Sequence, residues 1–366
     1  MVLLVSLFVF IIFLGYLKSK SIVVNILLCS IVCILFAYSQ DDQDWNVYQN
    51  YYEGTIQESY ELGYAWLNQV SNNFGLSYLE FRLFIGVVFC SVLFFIIRKL
   101  TKHANVVWSS YLIYSAMFDA CILRNSLSML FAIPGILLLI QSKRIYNLFV
   151  PLICFVIAAF IHNSFWFFLV FIPFWFIIQS QNGIAKVCAF TIVLYLISVI
   201  NTTFLFDLFG QLIVREGVID KYETGRYANI NGAIYNLLKY ILYISPVLFY
   251  KYFGTHSRKC LPSSRLEAIF NKHILDINIL FIVLLVPQFF AITFSRFFRM
   301  LCLFNYVFLA NQVDASGSKR MPKIISLIYA TILLLLLLFR ESPGTLEGVF
   351  LMHFETNSVF EIIKNI

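Results

Sequence analysis

The sequence predicts an all-α integral membrane protein with about twelve transmembrane helices, within a range of about 10–13. Of its 366 residues, 61% are hydrophobic and 12% are charged, whereas a soluble domain has about 25% charged residues. A membrane-spanning helix needs about 20 mostly apolar residues, and such runs recur along the whole chain. Because lipid is the solvent that suits this composition, we predict a single polytopic membrane domain over residues 1–366.

Twelve apolar runs are the candidate spans. The first run has no small-residue cleavage site before Lys18, so we interpret it as a membrane span and not as a removed signal peptide. Two longer polar segments, about 40–81 and 207–232, are the predicted outer loops. The twelve runs cover approximately residues 1–17, 22–39, 82–97, 104–122, 125–141, 146–161, 164–179, 185–206, 233–250, 273–293, 297–311 and 323–339.

The Lys and Arg residues of the short loops predict the orientation of these spans. If the loop with Lys18 and Lys20 is cytoplasmic, alternating spans place sixteen of the 26 basic residues in or beside cytoplasmic loops. Both termini then lie on the outer side of the membrane. The net charge of +7 is thereby explained as a topology signal, and no nucleic-acid partner is predicted.

The outer loop over residues 40–81 is acidic and rich in aromatic residues. It has six acids before Glu80 and no Lys or Arg before Arg82. Aromatic rings can stack on sugar faces while carboxylates accept hydrogen bonds from hydroxyls, so this loop is a candidate glycan-binding surface. The alternative is a solvated loop whose rings anchor it at the membrane interface. The candidate glycan-binding residues are Asp42, Trp45, Tyr48, Tyr51, Tyr52 and Glu61.

Asp42 and Asp44 have the D-x-D spacing that can bind a divalent metal beside a diphosphate. This spacing arises easily within an acidic tetrad such as DDQD, so no metal site is predicted. The eight cysteines occur singly, without a CxxC pair, and indicate neither a disulfide framework nor a zinc site. The chain has no P-loop, no GxGxxG after a strand, no HExxH and no GxSxG. No cofactor is therefore predicted.

Arg124, His162, Arg296 and Arg299 all fall on the predicted outer face. Two spans of about 27 Å each separate Arg124 from His162, so the chain returns to its starting depth. We predict that these two residues lie at the same level on adjacent antiparallel helices. Arginines on the outer face run against the positive-inside bias and favour an anionic ligand. The alternatives are snorkelling arginines and an interfacial His162.

Four segments occur in an order that resembles the EpsG-like and Wzy-like polymerases of bacterial surface polysaccharides. They are DWNVYQNYY with ELGYAWLNQ, then LRNSLSMLFA, then FIHNSFWFF, then SRFFRMLCLFNYV, and together they span roughly residues 41–307. The resemblance implies a GT-C-like multi-spanning glycosyltransferase of the bacterial inner (cytoplasmic) membrane, with its active site facing outward. It also implies polymerisation of lipid-linked oligosaccharide repeat units of an O-antigen (lipopolysaccharide), a capsule or an exopolysaccharide.

In the reaction that the resemblance implies, an acceptor hydroxyl attacks the anomeric carbon of a glycan on polyprenyl (undecaprenyl) diphosphate, which leaves. Guanidinium groups suit such a leaving group, and Arg124, Arg296 and Arg299 are the candidate diphosphate-binding residues. His162 is the first candidate for a general base and Asp44 the second. The implied partners are polyprenyl-diphosphate-linked oligosaccharides, membrane lipid and a chain-length regulator protein.

Three other functions fit parts of this pattern. A flippase or another transporter would also have about twelve spans, and Lys239 and Asp276 within spans keep that alternative open. A glycan ligase would share most of the chemistry of a polymerase. A membrane O-acyltransferase could use His162 as its base.

Overall fold

The structure is a computed structural model, and almost all of its regular structure is α-helical, with short 3-10 and π-helical segments. It describes residues 2–38, 44–55, 61–142, 144–200, 230–253, 262, 264–290, 292–315, 318–341, 352–357 and 359. In these ranges the α-helices are α1 (Val2–Leu17), α2 (Ile22–Tyr38), α3 (Trp45–Tyr52), α4 (Leu62–Asn73), α5 (Tyr78–Leu100), α6 (Ala104–Tyr114), α7 (Ala116–Cys121), α8 (Leu123–Leu139), α9 (Phe149–Ile161), α10 (Phe171–Ile178), α11 (Gly183–Ile200), α12 (Ile230–Phe253), α13 (Arg265–Ile282), α14 (Leu285–Phe290), α15 (Phe297–Ala315), α16 (Met321–Leu336) and α17 (Met352–Glu355).

The chain divides into two compact units. Unit 1 comprises Met1–Leu130, Thr255–Ala268 and Tyr306–Ile366. Unit 2 comprises Phe131–Gly254 and Ile269–Asn305. Each unit has its own apolar core.

Within the described residues, four helices are long and apolar enough to cross a membrane. They are Tyr78–Leu100, Gly183–Ile200, Asn231–Phe253 and Met321–Phe339. Each coincides with one of the predicted spans, which confirms the general class of the protein. Shorter apolar helices cover Leu3–Leu17, Ile22–Tyr38, Leu123–Leu139, Tyr146–Ile161 and Asn163–Ile178. The number of twelve spans and the orientation of the termini stay predictions.

Helix α5 begins one turn earlier than the apolar run that predicted it. Ser77 and Glu80 form a capping box, in which the Glu80 backbone N–H donates to the Ser77 Oγ at 3.3 Å. In return, the Ser77 backbone N–H donates to the Glu80 carboxylate at 2.7 Å. These bonds satisfy N–H groups that a helix N-terminus leaves without partners. The polar cap therefore extends the helix beyond its apolar part.

The predicted span 104–122 is divided into α6 and α7. Helix α6 ends at Tyr114, and a second break follows at Ile122, before α8. The buried Asp119 lies between these breaks and accepts a hydrogen bond of 2.8 Å from the Tyr111 hydroxyl. The Ser126 hydroxyl donates to the Asp119 carbonyl at 2.6 Å. Side-chain hydrogen bonds thus occupy backbone and carboxyl groups at a point where the helix is interrupted.

Two other predicted spans also contain irregular turns. The span 164–179 starts as a 3-10 helix, Asn163–Val170, and continues as α10. The span 273–293 divides into α13 and α14 at Val283 and Leu284. Pro287 explains the second break, because it has no N–H to donate to the Val283 carbonyl and restricts the residue before it.

The core of unit 1 forms where α2 packs along α5. Phe36 and Phe89 stack with their ring centroids 4.7 Å apart. The helices approach closely at Gly86, where a Cβ would lie 3.0 Å from the Cβ of Phe36. At the other end of α2, the Asn25 amide donates to the Asn105 side chain at 2.8 Å. Glycine allows the close approach at one end, and a buried amide pair fixes the other.

The core of unit 2 is dominated by phenylalanines. Phe168 lies 4.9 Å from Phe171 and 5.1 Å from Phe297 between ring centroids. A buried polar link crosses this core, since Asn278 donates to the Asn305 side chain at 2.9 Å. Asn305 in turn donates to the Tyr243 carbonyl at 2.8 Å. Interior amides that are paired in this way fix the register between helices at little cost.

Candidate functional site

Helices α3 and α4 occupy the outer loop that was predicted to bind glycan. Three of the candidate rings, Trp45, Tyr48 and Tyr52, are buried. Tyr52 stacks on Phe81 at 5.0 Å between centroids, and its hydroxyl donates to the Leu76 carbonyl at 2.8 Å. Tyr51 is partly exposed, so of these four rings it is the best placed to meet a ligand. Burial gives the other three rings a packing role, and their glycan binding stays a prediction.

Arg82 attaches the start of α3 to the N-terminal end of α5. This arginine is fully buried, and its Nε and Nη2 atoms donate to the Phe36 and Ala120 carbonyls at 2.9 and 3.0 Å. Both carbonyls belong to the last turn of a helix, where a cation is favourable. The guanidinium also lies over the Trp45 ring, 4.4 Å from its centroid. One side chain thus connects α2, α5, α7 and the start of α3.

Arg124 stands at the start of α8 and forms an ion pair with Glu61. Its Nη1 lies 2.6 Å from the Glu61 Oε2, and its Nε donates to the Tyr48 hydroxyl at 3.3 Å. The guanidinium is 5.4 Å from the centroid of the Tyr48 ring. The two charged side chains keep only 19% and 10% of their surfaces exposed, so water screens the pair weakly. Three predicted site residues from separate segments therefore meet directly.

Tyr64 provides the floor of this cluster. It is fully buried beneath Tyr48 and Tyr51, with ring centroids 5.9 and 6.4 Å away. Burial raises the pKa of Tyr64 well above its usual value, and the neighbouring tyrosines Tyr78 and Tyr48 raise it further, although Arg124 lowers it. The phenol therefore stays neutral at physiological pH.

Asp44 precedes α3 at its N-cap position, and its side chain makes no capping hydrogen bond. Its carbonyl accepts from the Tyr48 N–H at 3.0 Å, so the two residues are one helical turn apart and share a face. Asp44 is thereby brought to the side of α3 that faces Arg124. Asp42 lies outside the described residues, as does most of the loop 207–232. Within the described ranges, no group of three His, Cys, Asp or Glu side chains is placed to hold a metal.

His162 lies in unit 2, at the junction between α9 and the 3-10 helix. Its backbone is extended, with φ −148° and ψ 114°, and it ends one helix and caps the next. The Ser164 N–H donates to the His162 Nδ1 at 3.4 Å. A neutral imidazole that accepts at Nδ1 carries its proton on Nε2. The HNS sequence therefore forms a capped turn.

Arg296 and Arg299 lie in another turn of unit 2. Arg296 ends the 3-10 helix Ile292–Arg296, and Arg299 is a buried residue of the first turn of α15. Phe297 lies between them and packs edge-on against Phe165 at 4.7 Å between centroids. Because Phe165 follows His162 by three residues, the two turns are held together by aromatic packing.

The predicted site residues thus form two groups. Unit 1 brings together Tyr48, Glu61 and Arg124, with Asp44 one helical turn before Tyr48, while unit 2 joins the turn of His162 to the turn of Arg296 and Arg299. Helices α8 and α9 begin and end where the two-span argument requires, at Leu123 and Ile161. That Arg124 and His162 share one depth stays a prediction.

Sequence reasoning missed Arg82 and Asp119. Both are fully buried polar residues of unit 1. A signal for each was present, since Arg82 falls at the start of an apolar run on the predicted outer side and Asp119 falls inside another apolar run. Ionisable residues inside membrane segments usually have a partner or a function.

Residues 40–347 match the EpsG family, and this region contains both groups of site residues. The chain belongs to the EpsG family. Membership agrees with the resemblance carried by the four sequence segments and indicates a polysaccharide polymerase-type role. Comparisons with curated proteins and with solved structures found no match. As an EpsG family member with four long apolar helices, the chain is a membrane protein of polysaccharide biosynthesis.

Proposed function

We propose that this EpsG family member polymerises lipid-linked oligosaccharide repeat units at the outer face of the bacterial inner membrane. The donor is a glycan on polyprenyl diphosphate, and the acceptor is a hydroxyl of a second lipid-linked repeat unit. The observation that carries the proposal is the ion pair of Arg124 and Glu61 beside Tyr48, with an Nη1–Oε2 distance of 2.6 Å. It places an anion-binding group and a hydroxyl-binding group side by side.

Arg124 holds the diphosphate in this proposal. The Glu61 carboxylate lies against one edge of its guanidinium, and this contact supports the assignment of an oxyanion ligand to Arg124. A diphosphate carries more charge than a carboxylate and matches the same fork of donors. Because the site is shielded from water, each donor that hydrogen-bonds to the leaving oxygen stabilises the transition state by about 2.7–4 kcal/mol. Arg296 and Arg299, in the turn of unit 2, stay predicted diphosphate-binding residues.

Glu61 and Asp44 act on the acceptor sugar. Glu61 accepts hydrogen bonds from sugar hydroxyls, and Asp44 takes the proton of the attacking hydroxyl. The new C–O bond forms at the anomeric carbon as the bond to the diphosphate oxygen breaks, and polyprenyl diphosphate leaves. We prefer Asp44 to His162 as the base because Asp44 shares a helix face with Tyr48, whereas the His162 Nδ1 caps a turn. His162 then positions the turn that packs against Phe297.

The remaining parts of the proposal follow the topology prediction. About twelve spans would place both termini and the helices α3 and α4 outside the cytoplasm. Tyr51 is the ring that we assign to glycan contact, and Asp42 is a further candidate from the same segment. A chain-length regulator is the proposed protein partner, and membrane lipid surrounds the chain.

A transporter of lipid-linked sugars is the second candidate. The observation that favours it is Lys239, which is 5% exposed within the apolar helix α12 and lies 5.5 Å from the centroid of the Tyr243 ring. Charged residues at such depth often belong to a transport pathway. A single buried lysine supports this function less strongly than the Arg124 cluster supports a polymerase.

A gel profile of surface polysaccharide distinguishes these functions. Cells that lack the gene are complemented with the wild type, with an Arg124→Ala variant or with an empty vector. If the protein is a polymerase, cells with the empty vector or the Arg124→Ala variant carry only a single repeat unit on their surface. Only cells complemented with the wild type then show the long ladder. If the single unit is also lost without the gene, the protein acts as a flippase or a ligase and the polymerase proposal is wrong.

A further inference from the structure

A basic cavity lies at the opposite end of α5 from Arg82. Its volume is about 440 Å³, and it is lined by the turn between α1 and α2, the turn between α5 and α6, and Ser264. Sixteen residues separate Arg82 from Arg98 at the cavity, which is about 24 Å along a helix. The cavity and the Arg124 cluster are therefore separated by most of a bilayer thickness within unit 1. All residues that line the cavity belong to that unit.

Four cationic side chains line this cavity. Lys20 is paired with Asp314 at 3.0 Å, and the Arg98 guanidinium lies 5.5 Å from the centroid of the Phe94 ring. The side chains of Lys99 and Lys102 are exposed and form no ion pair or hydrogen bond with any described residue. The cavity thus has two ammonium groups that are available to an anion.

Asn25 adds an acceptor to the same cavity. This residue is 1% exposed, and its Nδ2 donates to the Asn105 side chain at 2.8 Å. Its Oδ1 accepts no hydrogen bond from the described part of the chain. A buried amide oxygen that lacks a donor is costly, so a ligand hydroxyl would be favourable there. Positive-inside topology explains lysines at this end of the helix, but it explains neither the cavity nor this acceptor.

We propose that the cavity binds a phosphate ester that carries a free hydroxyl group. Lys99 and Lys102 would hold the phosphate, while the Asn25 Oδ1 would accept from the hydroxyl. The headgroup of phosphatidylglycerol has this chemistry, and so does soluble glycerol phosphate. The site is distinct from the Arg124 cluster and does not depend on the polymerase proposal.

Native mass spectrometry of the full chain in detergent tests this proposal with phosphatidylglycerol as the probe. Phosphatidylmethanol is the matched lipid, because it has the same anionic phosphodiester without a hydroxyl. We compare the wild type with a Lys99→Gln/Lys102→Gln variant. A matched control variant, Lys186→Gln/Lys251→Gln, removes two exposed lysines of the same predicted membrane face that do not line the cavity.

The wild type is expected to bind phosphatidylglycerol more tightly than phosphatidylmethanol. A lysine near an anionic lipid contributes about fivefold to affinity, so the cavity variant should bind about thirtyfold more weakly. The control variant should bind like the wild type. An Arg124→Ala variant should also retain the lipid, which separates this result from any failure of the polymerase proposal.

A thermal-shift titration with glycerol phosphate distinguishes the two sources of the ligand. Stabilisation of the wild type but not of the cavity variant, without selective lipid binding, would support a soluble ligand. Equal losses in the cavity and control variants would overturn the proposal, because general surface charge would then explain the binding. The absence of binding by both probes to the wild type would also overturn it.

Discussion

Arg124 and Glu61 are 63 residues apart in the sequence, yet their side chains meet at 2.6 Å. The acidic segment before α5, which is the predicted outer loop, therefore brings a carboxylate to the first turn of α8. Tyr48 from α3 contacts the same guanidinium. A cluster built from three separate segments is sensitive to any change in how those segments fold, so its members can be tested one at a time.

Replacing Arg124 should abolish polymer formation without changing the amount of protein. Arg124→Ala removes a donor to the leaving diphosphate, and such a loss costs about 10²–10³-fold in rate. Arg124→Lys should restore little, because an ammonium cannot form the two parallel bonds of a guanidinium. The measurement is the polysaccharide ladder per unit of membrane protein. Arg144→Ala is the control, since Arg144 is exposed and donates to the Tyr146 hydroxyl; if both variants keep the ladder, Arg124 does not bind the diphosphate.

Replacing Arg82 should act mainly by lowering the thermal stability of the folded protein, and its direct effect on polymer formation should be small. Arg82→Met removes the donors to the Phe36 and Ala120 carbonyls, at about 1–3 kcal/mol for each buried group. It also removes the contact with Trp45, which is worth about 0.5–2 kcal/mol. We expect the melting temperature in detergent to fall by about 5 °C or more. Arg98→Gln is the control on the same helix, because Arg98 is exposed. Equal melting temperatures of the two variants would contradict an anchoring role for Arg82.

Hydrophobicity and the distribution of charge were sufficient to predict the membrane class and the positions of the long apolar helices. They were not sufficient to predict helices that are interrupted by polar contacts, such as the division at Ser115 beside Asp119. The reason is that the average hydrophobicity of an apolar segment is about the same whether it forms one helix or two helices separated near a buried carboxylate.

How much of the site could be predicted from the sequence differed between types of residue. Arginines on the predicted outer face were singled out because their charge runs against the topology bias, and their role stays a prediction. The pairing of Arg124 with Glu61 could not be predicted, since it depends on how α3 and α4 pack within unit 1. The burial of Trp45 and Tyr52 could not be predicted either, because a tyrosine-rich loop has the same composition whether its rings pack or bind sugar.

Asp44 and His162 should respond differently to conservative replacement. His162→Asn retains an acceptor for the Ser164 N–H and should keep most of the polymer, whereas His162→Ala loses the cap and about 1 kcal/mol of stability. Asp44→Asn removes the proposed base and should lower the rate by about 10²–10⁴-fold. The assay is the same ladder, combined with thermal melting in detergent. Loss of polymer in a stable His162→Asn variant, with activity retained in Asp44→Asn, would assign the base to His162 instead.

Asp314 should make the stability of the protein depend on pH. Its carboxylate lies 3.0 Å from the Lys20 Nζ and 3.1 Å from the His103 Nε2. Burial acts to raise the pKa of Asp314, but Lys20 and His103 hold it below its usual value. Burial also lowers the pKa of His103, against the opposing effect of Asp314. Both residues therefore bind fewer protons in the folded chain than in the unfolded chain, and stability falls with decreasing pH.

The expected acid dependence has two parts. The contribution of His103 is fully present above its ordinary pKa of about 6.5 and declines below it, while that of Asp314 is present above about 3.9 and is lost as the pH falls further. The melting temperature of Asp314→Asn should be lower than that of the wild type at pH 7. This difference in melting temperature should shrink below about pH 4, because the wild-type carboxyl is then neutral as well. Glu53→Gln, at an exposed carboxylate outside this ion pair, is the control variant. A constant difference for Asp314→Asn from pH 7 to about 3 would show that the ion pair does not stabilise the fold.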